Sequence, residues 1–301
     1  MSHEPISQPP QPTREALQTL PAWVEAQAAN TAVYALIDMA AMPSDLPVPR
    51  ALQEIRAAGA VSVLADARPQ AELATPWLLP LTGQGHQSLN RPLLTKTLDW
   101  ALRGPCVTWV SSSLSAAQLA ERLRQRTEAM LPQNQPVLLR CYDPRVLPEL
   151  HKALYPEQAS RYWALGNAWA YFDRAQQLGL ITLSPPSDID VFEGPLSLDQ
   201  GQFEALLDAS EVDSVMPELA REATDAFLTL PPDQRASFTQ RCLKLADEWR
   251  VQAFGQRVMV GVLALQLGEG FHQQKSWAPW IAQLAQGKID LIQTIEGATT
   301  E

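Results

Sequence analysis

The feature that most constrains this chain is a change of rhythm near its middle. Up to about residue 173, short apolar runs alternate with segments of helical period, whereas from about residue 196 only helical periods remain. Six runs read as strands: 32–37 (AVYALI), 60–64 (AVSVL), 77–81 (WLLPL), 106–110 (CVTWV), 137–142 (VLLRCY) and 168–172 (AWAYF). Several are apolar at consecutive positions, the pattern of a strand covered on both faces rather than one. The expected fold is therefore an α/β lobe, a mixed sheet with flanking helices, followed by an all-α C-terminal lobe. The expected boundaries are a disordered tail over 1–12, the α/β domain over 13–175, a linker over 176–195 and the helical lobe over 196–301. The linker rests on LGLITLSPPSDIDVFEGP, which is rich in turn formers and has two adjacent prolines.

Local signals place the helices. Ser115 with Gln118 three residues on has the spacing of a capping box, and Leu114 and Leu119 stand at the staple positions. Leu119, Leu123 and Met130 continue one face of that helix, while Glu121, Arg122, Arg124 and Arg126 point largely elsewhere. Leu94, Leu98 and Ala101 form a second stripe, ended by Gly104 and Pro105, and a helix over 49–58 should stop at Gly59. In the tail, Phe203/Leu206/Leu207, Met216/Leu219/Ala220/Ala223, Phe238/Cys242/Leu245/Trp249 and Val258/Val262/Leu263/Leu267 mark about four or five helices.

Charge and cysteine usage exclude several classes. With 23 Lys+Arg against 33 Asp+Glu the net charge is −10, which argues against a nucleic-acid or anionic-membrane binder. No run approaches the length and apolarity of a membrane span, and the polar, Pro-rich start is unlike a signal peptide. Cys106, Cys141 and Cys242 are widely spaced and odd in number, so they are expected to be reduced, buried thiols in a cytoplasmic protein.

Chemistry-bearing motifs are sparse. The four histidines (His3, His86, His151 and His272) have no second ligand at a metal-site spacing. Ser111–Ser113 follow a strand, where serine usually serves a turn or cap. Gly83-Gln84-Gly85-His86 lacks the length and the Lys of a phosphate loop and reads as a mobile loop, and Asp188-Ile189-Asp190 reads as solvated charge. No nucleophile, base and orienter assemble, so no cofactor, metal or catalytic residue is assigned.

The most informative stretch is VLLRCYDPRVL, 137–147. Asp143 before Pro144 reads as an N-cap followed by a proline at the first helical position, launching a helix through Leu147 and Leu150. Arg145 would then sit in the first turn, where a cation is disfavoured, and Arg140 lies within an apolar run. Each needs a carboxylate inside the fold or a contact with a binding partner. The aromatic segment RYWALGNAWAYFD poses the same choice: Tyr162, Trp163 and Trp169, with Tyr171 and Phe172, are either core or a protein-contact site.

In their order, YALIDMA, ATPWLLPL, the helix from Leu114 to Arg124, VLLRCYDPRVL and NAWAYFD resemble the effector adaptor/chaperone family of bacterial type VI secretion. The resemblance covers about residues 33–173 and continues more loosely through LSLDQGQFEALLDAS and LQLGEGFHQ. It implies a non-enzymatic cytoplasmic adaptor, a monomer when free, with an α/β lobe and a helical lobe forming the gripping surface. Its partners would be a cognate effector toxin and a VgrG or PAAR spike protein, with no nucleic acid and no stable membrane insertion. Arg140, Tyr142, Asp143, Pro144 and Arg145 carry over as a signature, and Cys141 stands where an aromatic is common. The candidate partner-binding residues are Arg140, Tyr142, Asp143, Arg145, Tyr162, Trp163 and Trp169. Two other classes fit the same pattern: an α/β enzyme with a helical cap and a structural subunit of the secretion apparatus.

Overall fold

At the centre of the first lobe, strand β1 (Ala32–Asp38) sends successive side chains to opposite faces, and both faces are covered. Val33, Ala35 and Ile37 enter one apolar cluster; Tyr34 and Leu36 enter another. The computed structural model describes residues 16–64, 72–82 and 88–300. The tail over 1–12 with His3, and the Gly83–His86 loop, lie outside the described residues.

Strand β1 pairs antiparallel with β3 (Pro76–Pro80) on one side and β4 (Val107–Ser112) on the other. With β2 (Val61–Ser62), β7 (Ala168–Phe172) and β8 (Leu178–Thr182), the order is β2-β3-β1-β4-β7-β8, antiparallel at every pairing. Helices α1 (Ala16–Ala28), α2 (Val48–Ala57) and α3 (Arg91–Arg103) supply Leu20, Ile55 and Leu98 to the cluster that takes Val33. Helices α4 (Ala116–Arg126), α5 (Leu147–Ala153) and α6 (Pro156–Tyr162) supply Leu119, Leu150 and Tyr162 to the cluster that takes Leu36. Each such large side chain, fully buried, contributes about 2 kcal/mol. A second sheet, β6-β5-β9, joins β5 (Glu128–Leu131) to β6 (Gln135–Leu138) antiparallel and to β9 (Leu196–Ser197) parallel.

The local signals are visible in the coordinates. The Ser115 hydroxyl accepts from the Gln118 amide at 3.4 Å, and the Ser115 amide donates to Gln118 Oε1 at 3.0 Å, closing the capping box of α4. Helix α2 ends in a Schellman motif: Ala60 N donates to Ile55 O and Gly59 N to Arg56 O, both at 3.0 Å, with Gly59 at φ +85°. At Gly166 a Cβ would stand 2.1 Å from the Ser111 carbonyl oxygen, so β4 and the entry to β7 approach as closely as they do only with glycine there.

Three expectations change. The run 137–142 is a strand only as far as Leu138; Arg140, Cys141 and Tyr142 lie in the turn that follows. Met130 belongs to β5 and not to the preceding helix, because Arg126 is the last helical residue and β5 finds neighbours in β6 and β9. Residues 176–195 are more than a connection: they include β8, one of the two edge strands of the main sheet, and a segment tied down by α4 that is described below.

The chain divides into two compact units, Met1–Leu207 and Asp208–Glu301, the division falling within α7 (Gln200–Glu222). The second unit is helical, with α8 (Thr224–Thr229), α9 (Pro232–Glu248), α10 (Phe254–Leu267), α11 (Ala278–Ala285) and α12 (Leu291–Thr300). Phe271 packs edge-on against Trp249 at 6.0 Å and Trp277 at 5.0 Å. Arg257 is buried and bound by Glu211 at 2.5 and 2.7 Å and by Asp247 at 2.6 Å. No helix among the described residues is long and apolar enough to cross a membrane.

All three cysteines are unpaired and buried. Burial pushes the Cys106 and Cys242 thiols up to about 12 and the Cys141 thiol up to about 11. The folded chain should therefore leave all three unreacted with a thiol-specific reagent at pH 8 and expose them on denaturation. Because the folded values lie above the ordinary 9.0, the stability these thiols contribute is complete below pH 9 and is lost as pH rises toward about 12. Denaturant midpoints across that window check it.

Candidate partner-binding site

Two of the segments singled out from the sequence meet at one end of the main sheet. Strand β1 ends at Asp38, whose Oδ1 accepts from the Ala40 amide at 3.0 Å and so caps the 3₁₀ turn Met39–Ala41. The other carboxylate oxygen is left for Arg140, 102 residues away. Arg140 also reaches Asp143 at 3.4 Å, and Arg145 closes a two-point pair on Asp143 at 3.0 and 2.7 Å. Asp38 and Asp143 are buried, whereas the side chains of Arg140 and Arg145 remain 36% and 32% exposed. Burial works against the Arg140 charge, but the charge and hydrogen bond of Asp38, with Asp143, more than offset it and raise its pKa above the ordinary value. Burial, with Asp38 behind it, also raises the Tyr142 phenol.

The structure therefore pairs both arginines inside the fold, and only their outer edges meet solvent. Asp143 does not cap α5, which begins four residues later at Leu147. It organises the preceding turn instead: Oδ1 accepts from the Arg145 amide at 2.9 Å, and its carbonyl accepts from Val146 and Leu147 at 2.9 and 2.8 Å. Arg145 thus lies in that turn and not in the first turn of a helix.

Tyr142, Tyr162, Trp163 and Trp169 give a different outcome. All four are buried, so as they stand they present no contact surface. The Tyr162 and Trp163 rings meet edge-on at 4.7 Å and those of Trp163 and Trp169 at 6.0 Å, and the Tyr162 hydroxyl donates to the Arg126 carbonyl at 2.7 Å. The aromatic segment is core: β7, paired on both sides by β4 and β8, carries Trp169 into the same apolar cluster that Tyr162 and Trp163 enter from the end of α6.

The residues that sequence analysis misplaced are Arg122, Arg126 and Asp190. Arg126 is fully buried and makes a two-point pair with Asp190 at 2.7 and 2.8 Å. It also donates to the carbonyls of Tyr162 and Arg122 at 2.5 and 2.9 Å, and its guanidinium lies 4.7 Å over the Phe192 ring. Arg122 donates to the carbonyls of Ser187 and Asp188 at 2.6 and 3.1 Å. Burial tends to raise the Asp190 carboxyl, but the hydrogen bonds and charge of Arg126 outweigh it and hold it below the usual carboxylate range. Asp190 is thus a structural ion-pair partner and not solvated charge. The available sequence signal was spacing: Arg122 and Arg126 stand three and seven positions after Leu119, on or beside the buried face of α4.

The serine hydroxyls at the end of β4 are occupied as well. The hydroxyls of Ser111 and Ser112 donate to Gln27 Oε1 at 2.9 Å and to the Leu165 carbonyl at 2.5 Å. His151 packs its ring 5.7 Å from Trp163, and desolvation lowers its pKa. Among the described residues, no three His, Cys, Asp or Glu side chains are grouped to hold a metal ion.

Two substitutions test this geometry. Asp190→Ala strands a buried guanidinium and should cost about 3 kcal/mol by denaturant unfolding. In the parent protein this contribution is complete above about pH 3.9 and is lost as pH falls through the lower folded value. Asp143→Ala releases two arginines that water can reach, so it should cost less, about 1–2 kcal/mol.

No curated protein and no solved structure matches the chain. Residues 33–161, less than half of it, match the family model described as Domain of unknown function (DUF4123). Asp38, Arg126 and the Arg140–Arg145 turn lie within the matched segment, and Asp190, β7 and β8 lie outside it.

Proposed function

We propose that this chain is a non-enzymatic adaptor of bacterial type VI secretion, one that binds a cognate effector in the cytoplasm and helps load it onto a VgrG or PAAR spike. The observation that carries the proposal is one of position. The domain match over residues 33–161 spans most of the ordered segments that resemble the effector adaptor/chaperone family, including YALIDMA and VLLRCYDPRVL. The side chains that could otherwise act as nucleophiles favour a binding role. The thiols are buried with raised pKa values, and the Ser111 and Ser112 hydroxyls serve backbone and side-chain acceptors. The guanidiniums of Arg140 and Arg145, clamped from behind by buried carboxylates, offer a preset polar edge for a partner. The free adaptor is a monomer.

The test is co-expression with the effector encoded beside this gene. The two proteins should co-purify, and deleting the adaptor gene should reduce both the solubility and the secretion of that effector. Equal solubility and equal secretion without the adaptor would reject the proposal.

A further inference from the structure

The segment that α4 ties down presents a face of its own. From Ile189 to Glu193 it alternates: Asp190 and Phe192 turn inward, onto Arg126 and against Tyr162 (ring separation 5.3 Å), while Ile189, Val191 and Glu193 turn outward. Ile189 is 81% exposed and Val191 47%, so two large apolar side chains stand side by side in water. They are not on a loose loop. The buried Arg126–Asp190 pair and the two Arg122 hydrogen bonds to the carbonyls of Ser187 and Asp188 fix the backbone that carries them. A partner segment docking here would find the face already ordered.

Beside this face, a groove of about 310 Å³ opens between α6 and the run from Phe192 to Ser197. Phe192, Pro195 and Leu196 give it apolar lining, and Glu157 and Glu193 line it as well. Among the described residues neither glutamate has an ion-pair partner, and a single guanidinium, Arg161, is there to offset them. Asp188, exposed next to Ile189, adds a third carboxylate. The charge of the surface is thus negative around an apolar centre, which complements a cationic and apolar ligand.

We propose that Ile189, Val191 and Glu193, with the adjoining groove, dock an extended segment of the effector that carries alternating apolar side chains and a lysine or arginine. The inference rests on the adaptor reading and adds the surface and the chemistry of the segment bound there. The alternating apolar residues meet Ile189 and Val191, and the cation meets Glu157 and Glu193.

The probe is the purified effector encoded beside the gene, titrated against the full chain. Ile189→Asp/Val191→Asp and Glu157→Lys/Glu193→Lys should each weaken binding by at least about tenfold. Ile292→Asp, an exposed apolar site on α12, should leave it unchanged. Thermal midpoints equal to the parent's confirm that the variants fold; if the aspartates lower the midpoint, Ile189→Ser/Val191→Ser replaces them. Parent-like affinity in both double variants overturns this docking surface and leaves the adaptor reading standing. No binding by the parent chain overturns the adaptor reading and this surface with it.

Discussion

The first lobe depends on one constraint: β1 has no solvent-facing side. Val33, Ala35 and Ile37 on one face and Tyr34 and Leu36 on the other must all leave water, so the sheet needs helices on both faces. Helices α1 to α3 answer one requirement and α4 to α6 the other. The strand can end only where its first charged residue, Asp38, reaches a guanidinium, and the charged corner of the domain forms there. The position of the polar network is a consequence of the apolar one.

Arginines held by carboxylates then fasten what the apolar clusters leave undetermined. Arg140 ties the turn after β6 to the end of β1, Arg126 ties the segment around Asp190 to α4, and within the second unit Arg257 ties α7 to α9 through Glu211 and Asp247. Desolvation makes such pairs modest net contributors to stability, yet removing one partner is expensive because the other charge is stranded. Their effect here is to select one arrangement of connecting segments among several of similar apolar burial. That selection also sets which side chains face outward: Arg140 and Arg145 at one corner, Ile189 and Val191 at another.

Where sequence and structure part, the failure has a consistent physical form. Leu119 and Leu123 mark the apolar stripe of α4, and Arg122 and Arg126 read as pointing largely elsewhere, yet both are buried with that stripe, Arg126 seven positions after Leu119. Hydrophobic period tells which face is apolar, but it does not reveal that a charged position on that face will be matched by a carboxylate more than sixty residues away. Asp143-Pro144 carries the residues of a helix start, and the same Asp side chain serves equally well to close a turn. Tyr162, Trp163 and Trp169 are amphipathic enough for an interface, and their place beside or within the central strands settles them in the core.

What the sequence determined by itself is everything governed by neighbours within about four positions: the capping box at Ser115, the left-handed stop at Gly59, the two-faced burial of β1 and the strand-free helical stretch at the end. These depend on short-range hydrogen bonds and on the periods of strand and helix, which the order of residues encodes directly. The tertiary structure decided the antiparallel order of the main sheet, the parallel joining of β5 to β9, and the carboxylate assigned to each arginine. Those are choices among many chemically equivalent partners far apart in the chain, and only the shape of the packed core brings one of them within 3 Å.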